Sequence, residues 1–474
     1  MNDLHEECGV FGIYSGKPMD CAGLAYYGLY ALQHRGQESC GIVVADDGLF
    51  TSRRDLGTVN EVFSRETLRK FSSGTMAIGH VRYGTTGGNN RENCQPIVIN
   101  HQKGKLALAH NGNLSNAYEL RSALELGGAI FHGTSDTEII AYIITQQRLK
   151  TPSIEVAVSR AVNELDGAFS LVMLSATKMI AVRDPHGFRP LCYGITEDGA
   201  HVVASESCAL AAVGAKFQRD LLPGEILTFD EAGVHSDRSH CAAAPKRSCI
   251  FEYIYFARPD SVIDGVSVHA ARKNAGRLLA RRHPVEADLV VGVPDSGLDA
   301  AVGYAEESGI PFGLGFIKNK YIGRTFISPG QGQRIDQVKI KLNPIRDEVA
   351  GKRVVLIDDS IVRGTTSGQI VRLLREAGAR EIHMRISSPP FRNPCYYGTD
   401  IDSREHLIAC HHTVEEIASL IDADSLGYLE PEDLTEMIGS ADYCDACFSG
   451  NYPTAVPACT AKDRFERKLS QREK

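Results

Sequence analysis

The chain is written in two grammars, and the change between them constrains most of what it can become. From Cys8 to about Ser239, short β-forming runs are separated by tight Gly and Asn loops; they include Gly41 to Ala45, Met76 to Gly79, Leu106 to Ala109, Phe169 to Leu174 and Met179 to Val182. Two helices interrupt them, one around Ala22 to His34 and one from Ser135 to Gln147, where Asp136 and Glu138 favour a helix N-terminus. This pattern predicts antiparallel sheets with helices packed on them, an α+β arrangement. A crossover reading HCAAAPKR, His240 to Arg247, then leads into strands that alternate with helices. Leu289 to Val293 is a predicted strand, Pro294 to Gly297 a tight loop, and Leu298 to Ser308 a helix closed by Gly309. The unit recurs as strand Val354 to Ile357, polar loop Asp358 to Thr366, helix Ser367 to Ala377 ended by Gly378, and strand Ile382 to Ile386. Such alternation predicts a parallel sheet with ligands at the carboxyl ends of its strands.

With 474 residues, 43% of them hydrophobic, the chain can build two or more cores. No apolar run approaches the roughly 18 residues of a membrane span, and the first residues lack the basic start and apolar stretch of a signal peptide. A cytoplasmic location is expected. The net charge of −8 gives no reason to propose a nucleic-acid surface, so the basic residues are read locally, near small anions. Thirteen cysteines in a reducing compartment are expected to be thiols, metal ligands or a catalytic group.

One of them opens the first strand, in HEECGVFGI. Kept in an intact chain, Cys8 is a buried thiol. With Met1 to Glu7 cut away, it carries a thiol and a free α-amine on one carbon, which together make a nucleophile and its base. The amine, with a pKa of about 7.7 to 8.0, can accept a proton from a thiol near 8.5. Three later stretches offer what such a nucleophile needs. HNGNLSN, His110 to Asn116, supplies an amide and an adjacent N–H at Asn111 and Gly112 for an oxyanion. HVRYGTTG, His80 to Gly87, offers Arg82 to a carboxylate, and GTSDTE, Gly133 to Glu138, offers Asp136 to an ammonium group. Taken singly, these are a hairpin turn, a surface arginine and a helix cap. Their order after CGVFGI resembles the class II glutamine amidotransferases, which hydrolyse glutamine with a processed N-terminal cysteine. The resemblance implies that Cys8 is the nucleophile, that Asn111 and Gly112 form the oxyanion hole, and that Arg82 and Asp136 hold the glutamine backbone groups. QHRGQESCGI, Gln33 to Ile42, fits the same family and is expected to help close the site.

VVLIDDSIVRGTTS, Val354 to Ser367, places two carboxylates at the end of a buried strand, before a loop of glycine and hydroxyls that opens a helix. Backbone N–H groups there can cradle a phosphate, while the absence of GxxxxGK[ST] excludes an ordinary P-loop NTPase. The alternative is a strand-to-helix turn capped by Asp359 or Ser360. The stretch resembles the phosphoribosyl-pyrophosphate (PRPP) signature of type I phosphoribosyltransferases. On that resemblance Asp358, Asp359, Ser360, Arg363, Gly364, Thr365 and Thr366 bind PRPP. VPDSG, Val293 to Gly297, looks like the family's pyrophosphate loop, with Ser296 joining Asp358 and Asp359 around Mg²⁺. KNKYIGRTFISPGQGQR, Lys318 to Arg334, is polar and basic, as a closing lid would be; Lys320, Arg324 and Arg334 offer countercharge, and its alternative is a mobile surface loop.

Near the C-terminus YCDACFSG holds a CxxC, Cys444 and Cys447, and two further cysteines, Cys249 and Cys395, stand in polar, proline-containing contexts. Four thiolates suit Zn²⁺ or an iron–sulfur cluster, and spacing does not choose between them; a pair of core thiols is the simpler alternative. The four contexts resemble the iron–sulfur subgroup of the amidophosphoribosyltransferases, which implies a 4Fe-4S cluster. Cys21, Cys40, Cys94, Cys192, Cys208, Cys241, Cys410 and Cys459 are expected to be free thiols, and His411 and His412 ordinary side chains.

Taken whole, the resemblance runs from Cys8 to about Pro457. It implies a propeptide at 1–7, an α+β N-terminal nucleophile (Ntn) hydrolase-type αββα sandwich at 8–240, an α/β type I phosphoribosyltransferase domain with a parallel sheet at 241–458, and a charged tail at 459–474. The implied reaction converts glutamine, PRPP and water to 5-phosphoribosylamine, glutamate and pyrophosphate, with ammonia passing inside the protein. Inhibition by purine nucleotides and a homotetramer are implied as well. Two rivals are a sugar-phosphate aminating amidotransferase, which the Val354 to Ser367 loop argues against, and a PRPP-sensing regulator, which would need a basic DNA-binding segment that the sequence lacks.

Overall fold

The computed structural model describes residues 8–71, 73–84, 89–319, 342–401 and 403–457. Two antiparallel sheets dominate the first half. A seven-stranded sheet has Gly9–Met19 at its centre, flanked by Gly74–Arg82 and His201–Ala204; a six-stranded sheet carries Gly104–Leu114 beside Gly167–Leu174. Strand periodicity decides how they stack. Val10 and Tyr14 point into a core shared with Ala107, Val172 and Leu227 of the second sheet. Phe11 and Ile13, on the opposite face of the same strand, pack under Ala25 and Leu29 of the helix Cys21–Ala31. On the far side Leu108 and Leu171 meet Ile140 and Ile144 of the helix Asp136–Lys150. The order is helix, sheet, sheet, helix: the αββα sandwich. Because both faces of each sheet are covered, strands such as Gly167–Leu174 are buried at every position.

The sequence reading placed two helices in this half, and the structure adds Val59–Val62, Arg65–Arg69, Ala117–Leu126, Ile154–Val162 and Ser207–Ala212. The first two are single turns set by local caps, a capping box at Thr58 with Glu61 and the Ser64 side chain. Ile154–Val162 hides a helix in β-branched composition. Ile154, Ala157, Val158, Ala161 and Val162 are buried at helical spacing, and Ser153 caps the start.

The second half forms a four-stranded parallel sheet in the order Leu289–Gly292, Arg353–Asp358, Glu381–Ile386 and Ser425–Tyr428. The helices Val268–Arg282 and Gly297–Ser308 cover one face, burying Ala275, Ala300 and Tyr304 against Val290 and Val355. The helix Thr365–Glu376 covers the other through Ile370, Val371 and Leu374. Both polar loops singled out in the sequence leave the carboxyl ends of neighbouring strands, where a parallel sheet holds its ligands. Among the described residues no helix is long and apolar enough to cross a membrane.

Candidate active sites

Cys8 lies buried at the head of the central strand, and its thiol faces the carbonyl oxygen of Tyr83 at 3.4 Å. Antiparallel register sets Gly9 opposite Val81, which brings the buried Arg82 alongside. Asn111 and Gly112 come from the facing sheet, opposite Ser170 and Phe169. Asn111 is fully buried, yet neither atom of its amide has a hydrogen-bond partner. An orphaned buried amide costs about 1–3 kcal/mol, which a bound ligand would recover. Gly112 has φ +140°, and a Cβ there would sit 2.1 Å from the Ala168 carbonyl oxygen; no side chain fits, so the backbone stays exposed to its neighbour.

Asp136, at the first turn of its helix, accepts from the Leu114 N–H at 2.9 Å and lies 3.4 Å from His110 Nδ1. Burial alone would raise its carboxyl; the His110 charge and hydrogen bond, the Leu114 N–H and the Arg82 charge outweigh this and hold it below the usual range. Asp136 therefore feels the charge of Arg82, whose neighbour Tyr83 meets the Cys8 thiol, and the 2.9 Å hydrogen bond between His80 Nε2 and the His110 carbonyl oxygen brings the strand of Asn111 and Gly112 against the strand of Arg82. The loop within Gln33 to Ile42 braces Cys8 and Arg82. Arg35 Nε donates to the Cys8 carbonyl oxygen at 3.0 Å, the Glu38 N–H donates to the Arg82 carbonyl oxygen at 3.2 Å, and the Glu38 carboxylate accepts from the Gly84 N–H at 2.9 Å. Arg35, Glu38 and His110 were not singled out from the sequence. The only available signal was their position inside quoted motifs.

In the second half Asp358 ends its strand and Asp359 begins the loop, both buried. Ser296 Oγ donates to Asp359, as does Ser360 Oγ at 2.5 Å, so residues from both loops converge. Burial pushes both carboxyls up; the neighbouring charge of Asp359 pushes Asp358 further, while the two serine hydroxyls pull Asp359 partly back. Two buried carboxylates beside two hydroxyls form a hard oxygen donor set, the chemistry Mg²⁺ takes. Arg363 Nε is buried without a hydrogen-bond partner. Gly364, at φ +79°, precedes the helix that starts at Thr365 and aims its N-terminus at the loop. Lys318 pairs with Asp295 at 2.5 Å. Lys320, Arg324 and Arg334 lie outside the described residues.

The four cysteines also come together. Ser248–Cys249 pairs in parallel with Tyr443–Cys444, setting Cys249 opposite Cys444. Cys447 follows in the next turn, and its carbonyl oxygen accepts from the N–H groups of Arg392 and Asn393 at 3.0 Å each, which ties down the segment leading to Cys395. Burial, then the neighbouring cysteines, push the Cys444 and Cys447 thiols well up. The Tyr397 N–H donates to Cys395 Sγ at 3.4 Å. Among the described residues no group of three or more His, Cys, Asp or Glu side chains is drawn tightly enough to hold a single metal ion. Cys21, Cys40, Cys94, Cys192, Cys208, Cys241 and Cys410 form no disulfide, and Cys459 lies outside the described residues.

Family comparison matches residues 82–212 to a glutamine amidotransferase domain and 267–397 to a phosphoribosyl transferase domain. An amidophosphoribosyltransferase of Methanocaldococcus jannaschii is 47% identical over 463 residues, 95% of this chain and 98% of that protein. One from Bacillus subtilis is 49% identical over 460 residues, covering 96% and 95%. The solved glutamine PRPP amidotransferase of B. subtilis, complexed with ADP and GMP, superposes with a TM-score of 0.89 at 47% identity, over 97% of this chain and all of that one. Two modules in this order, on this scaffold, at this identity, place the chain in the amidophosphoribosyltransferase family.

Proposed function

We infer that the chain is a glutamine-dependent phosphoribosyltransferase that converts glutamine, PRPP and water to 5-phosphoribosylamine, glutamate and pyrophosphate, the amidation step of purine biosynthesis. The observation that carries this reading is the buried, partnerless Asn111 amide in the same half as the buried Cys8, joined in one chain to the Asp358–Asp359 phosphate loop.

In the glutaminase half, at 8–240, cleavage after Glu7 frees the Cys8 α-amine, which takes the thiol proton. The thiolate attacks the glutamine carboxamide, and Asn111 Nδ2 and the Gly112 N–H hold the oxyanion. Arg82 clamps the substrate carboxylate and Asp136 its ammonium. The amine returns the proton to departing ammonia, and water then hydrolyses the acyl-enzyme. Ammonia must stay inside the protein, because in water near pH 7 it is mostly ammonium and cannot act as a nucleophile.

In the phosphoribosyltransferase half, at 241–458, the backbone from Arg363 to Thr366 and its hydroxyls grip the 5′-phosphate, with Ser360 beside them and Lys320 supplying countercharge. Ser296, Asp358 and Asp359 would hold Mg²⁺, which neutralises the departing pyrophosphate. Ammonia attacks C1 of the ribose, and exclusion of water by the Lys318 to Arg334 lid protects a transition state with oxocarbenium character.

Cys249, Cys395, Cys444 and Cys447 would hold a 4Fe-4S cluster that ties the C-terminal segments together. The reading is supported by four neighbouring thiols among the rings of Phe391, Tyr397, Phe448 and Tyr452. Anaerobic purification with iron and sulfide analysis tests it. We further read 1–7 as a propeptide, 459–474 as a charged tail, the assembly as a homotetramer, purine nucleotides as feedback inhibitors, and the cytoplasm as the compartment. The ADP and GMP bound to the B. subtilis enzyme support the nucleotide reading. PRPP-dependent glutamate release from pure protein tests the reaction; a protein that begins at Cys8 and releases none would refute it.

A further inference from the structure

A carboxylate from the second half braces the glutaminase site. Glu252 lies in a short π-helical turn, Glu252–Phe256, three residues after Cys249. It accepts two hydrogen bonds from Arg35, Nη1 to Oε2 at 3.0 Å and Nη2 to Oε1 at 2.7 Å, and a third from Arg189 Nη1 at 3.3 Å. The same Arg35 donates its Nε to the Cys8 carbonyl oxygen at 3.0 Å and its Nη1 to Glu206 at 2.6 Å. Arg189 turns the other way. Its carbonyl oxygen accepts from Ser170 Oγ at 3.1 Å, and Ser170 is the cross-strand partner of Asn111. One side chain is therefore tied through Arg35 to the carbonyl of the nucleophile, and through Arg189 to the strand that pairs with the strand of the buried amide.

We infer that Glu252 is a positioning residue for glutamine hydrolysis, so that the amidotransferase site is geometrically complete only when the phosphoribosyltransferase half is docked against it. The inference rests on the reading of Cys8 as an N-terminal nucleophile.

The arrangement is a poor way to gain stability alone. Arg35, Arg189, Glu206 and Glu252 have side chains that are at most 1% exposed, and buried ion pairs of this kind are commonly no better for stability than apolar residues of equal volume. What they provide is fixed geometry. At an N-terminal nucleophile the amine, the thiol and the carbonyl radiate from one Cα. With the thiol facing Tyr83, holding the carbonyl through Arg35 sets where the amine points. Without Glu252, the Arg35 fork loses two of its acceptors and is free to turn toward Glu206 alone. The turn that bears Glu252 is itself fixed from behind, because Arg272 of the helix Val268–Arg282 donates to the carbonyl oxygens of Tyr253, Tyr255 and Ala257 at 2.7–2.9 Å. Such π-turns recur at functional positions.

The test uses the full chain with Glu252→Asp, which keeps the buried charges balanced but withdraws the carboxylate by one methylene, and Glu252→Gln, which keeps the shape and removes the charge. Both should lower kcat for glutamine hydrolysis by about 100-fold, the cost of a misplaced reacting group, with KM for glutamine unchanged. Amination of PRPP by added ammonia, which bypasses Cys8, should be unchanged. If Glu252→Gln fails to fold, Glu252→Asp decides the matter. Unaltered glutamine kcat in Glu252→Asp overturns the inference, as does a parallel fall in both activities, which would mark a purely structural role. A Cys8→Ala protein that still hydrolyses glutamine would instead overturn the nucleophile reading itself, and that result does not depend on either Glu252 variant.

Discussion

His110 Nδ1 lies 3.4 Å from Oδ1 of Asp136, on the residue next to the partnerless Asn111 amide. The pair joins the two ends of the proposed glutamine clamp, since Asp136 also feels the charge of Arg82. Replacing His110 with leucine removes a hydrogen bond to a carboxylate, worth about 1.5–3 kcal/mol. KM for glutamine should rise by roughly ten- to a hundredfold while ammonia-dependent synthesis is untouched. Asparagine, which can place an N–H near the same point, should restore part of the loss. Steady-state kinetics with both nitrogen donors checks this.

Asn111 and Gly112 should separate stability from turnover. Because the Asn111 amide has no partner to lose, Asn111→Ala should leave thermal stability near the parent value. Glutamine turnover should nevertheless fall by about 10²–10³-fold, as for the loss of one oxyanion donor. Gly112→Ala should do the reverse first, lowering Tm, because its Cβ would meet a carbonyl oxygen at 2.1 Å. Calorimetry and glutaminase assays on the same preparations distinguish the two.

The contact between the halves should weaken in acid. Asp264 accepts from Arg183 Nη1 at 2.7 Å and Nη2 at 3.0 Å and pairs with Lys246 at 3.1 Å, while Asp220 and Tyr253 also face it. Burial would raise its carboxyl, but Arg183 and then Lys246 pull it down to about 2 from its ordinary 3.8. A depressed carboxyl stabilises the fold above its unfolded pKa and loses that contribution as pH falls through the folded value. The loss, about 2 kcal/mol, should therefore come between pH 4 and pH 2. Asp264→Asn should flatten that limb of a urea-denaturation pH profile and cost about 3–5 kcal/mol at neutral pH by stranding a buried arginine. An unchanged acid limb would contradict this assignment.

PRPP binding should be visible as stabilisation. A ligand at about 100 times its Kd adds about 2.7 kcal/mol to the folded state, so Tm should rise on adding PRPP with Mg²⁺. Asp359→Asn, which breaks the carboxylate held by Ser296 and Ser360, should abolish that rise, the ammonia-dependent reaction and the stimulation of glutamate release by PRPP. A full PRPP-induced rise in the variant would exclude Asp359 from the site.

Much of this was legible in the sequence because local chemistry and fold coincide. The Asp358–Asp359 loop sits where a strand must end and a helix must begin, and Gly112 tolerates no other residue in its strand. Helix Ile154–Val162 was missed because its valines and isoleucines carry a strand-like composition, and only their buried spacing reveals the helix. Arg35, Glu206 and Glu252 were missed for a different reason. Their meaning lies in contacts across 171 and 217 residues of sequence, and no local pattern records which charges will be buried together. The cysteine quartet lay between these cases, with a CxxC visible by itself and two partners placed beside it by the fold.

On the proposed mechanism, Cys8 acts as an N-terminal residue whose own amine serves as the base for a reaction that depends on PRPP. The direct measurement is the intact mass of the purified protein, taken on the same sample as its PRPP-dependent release of glutamate from glutamine. The active protein should have a mass that begins at Cys8. Full activity in a protein that retains Met1 to Glu7 would contradict that mechanism, as would a protein beginning at Cys8 that releases no glutamate.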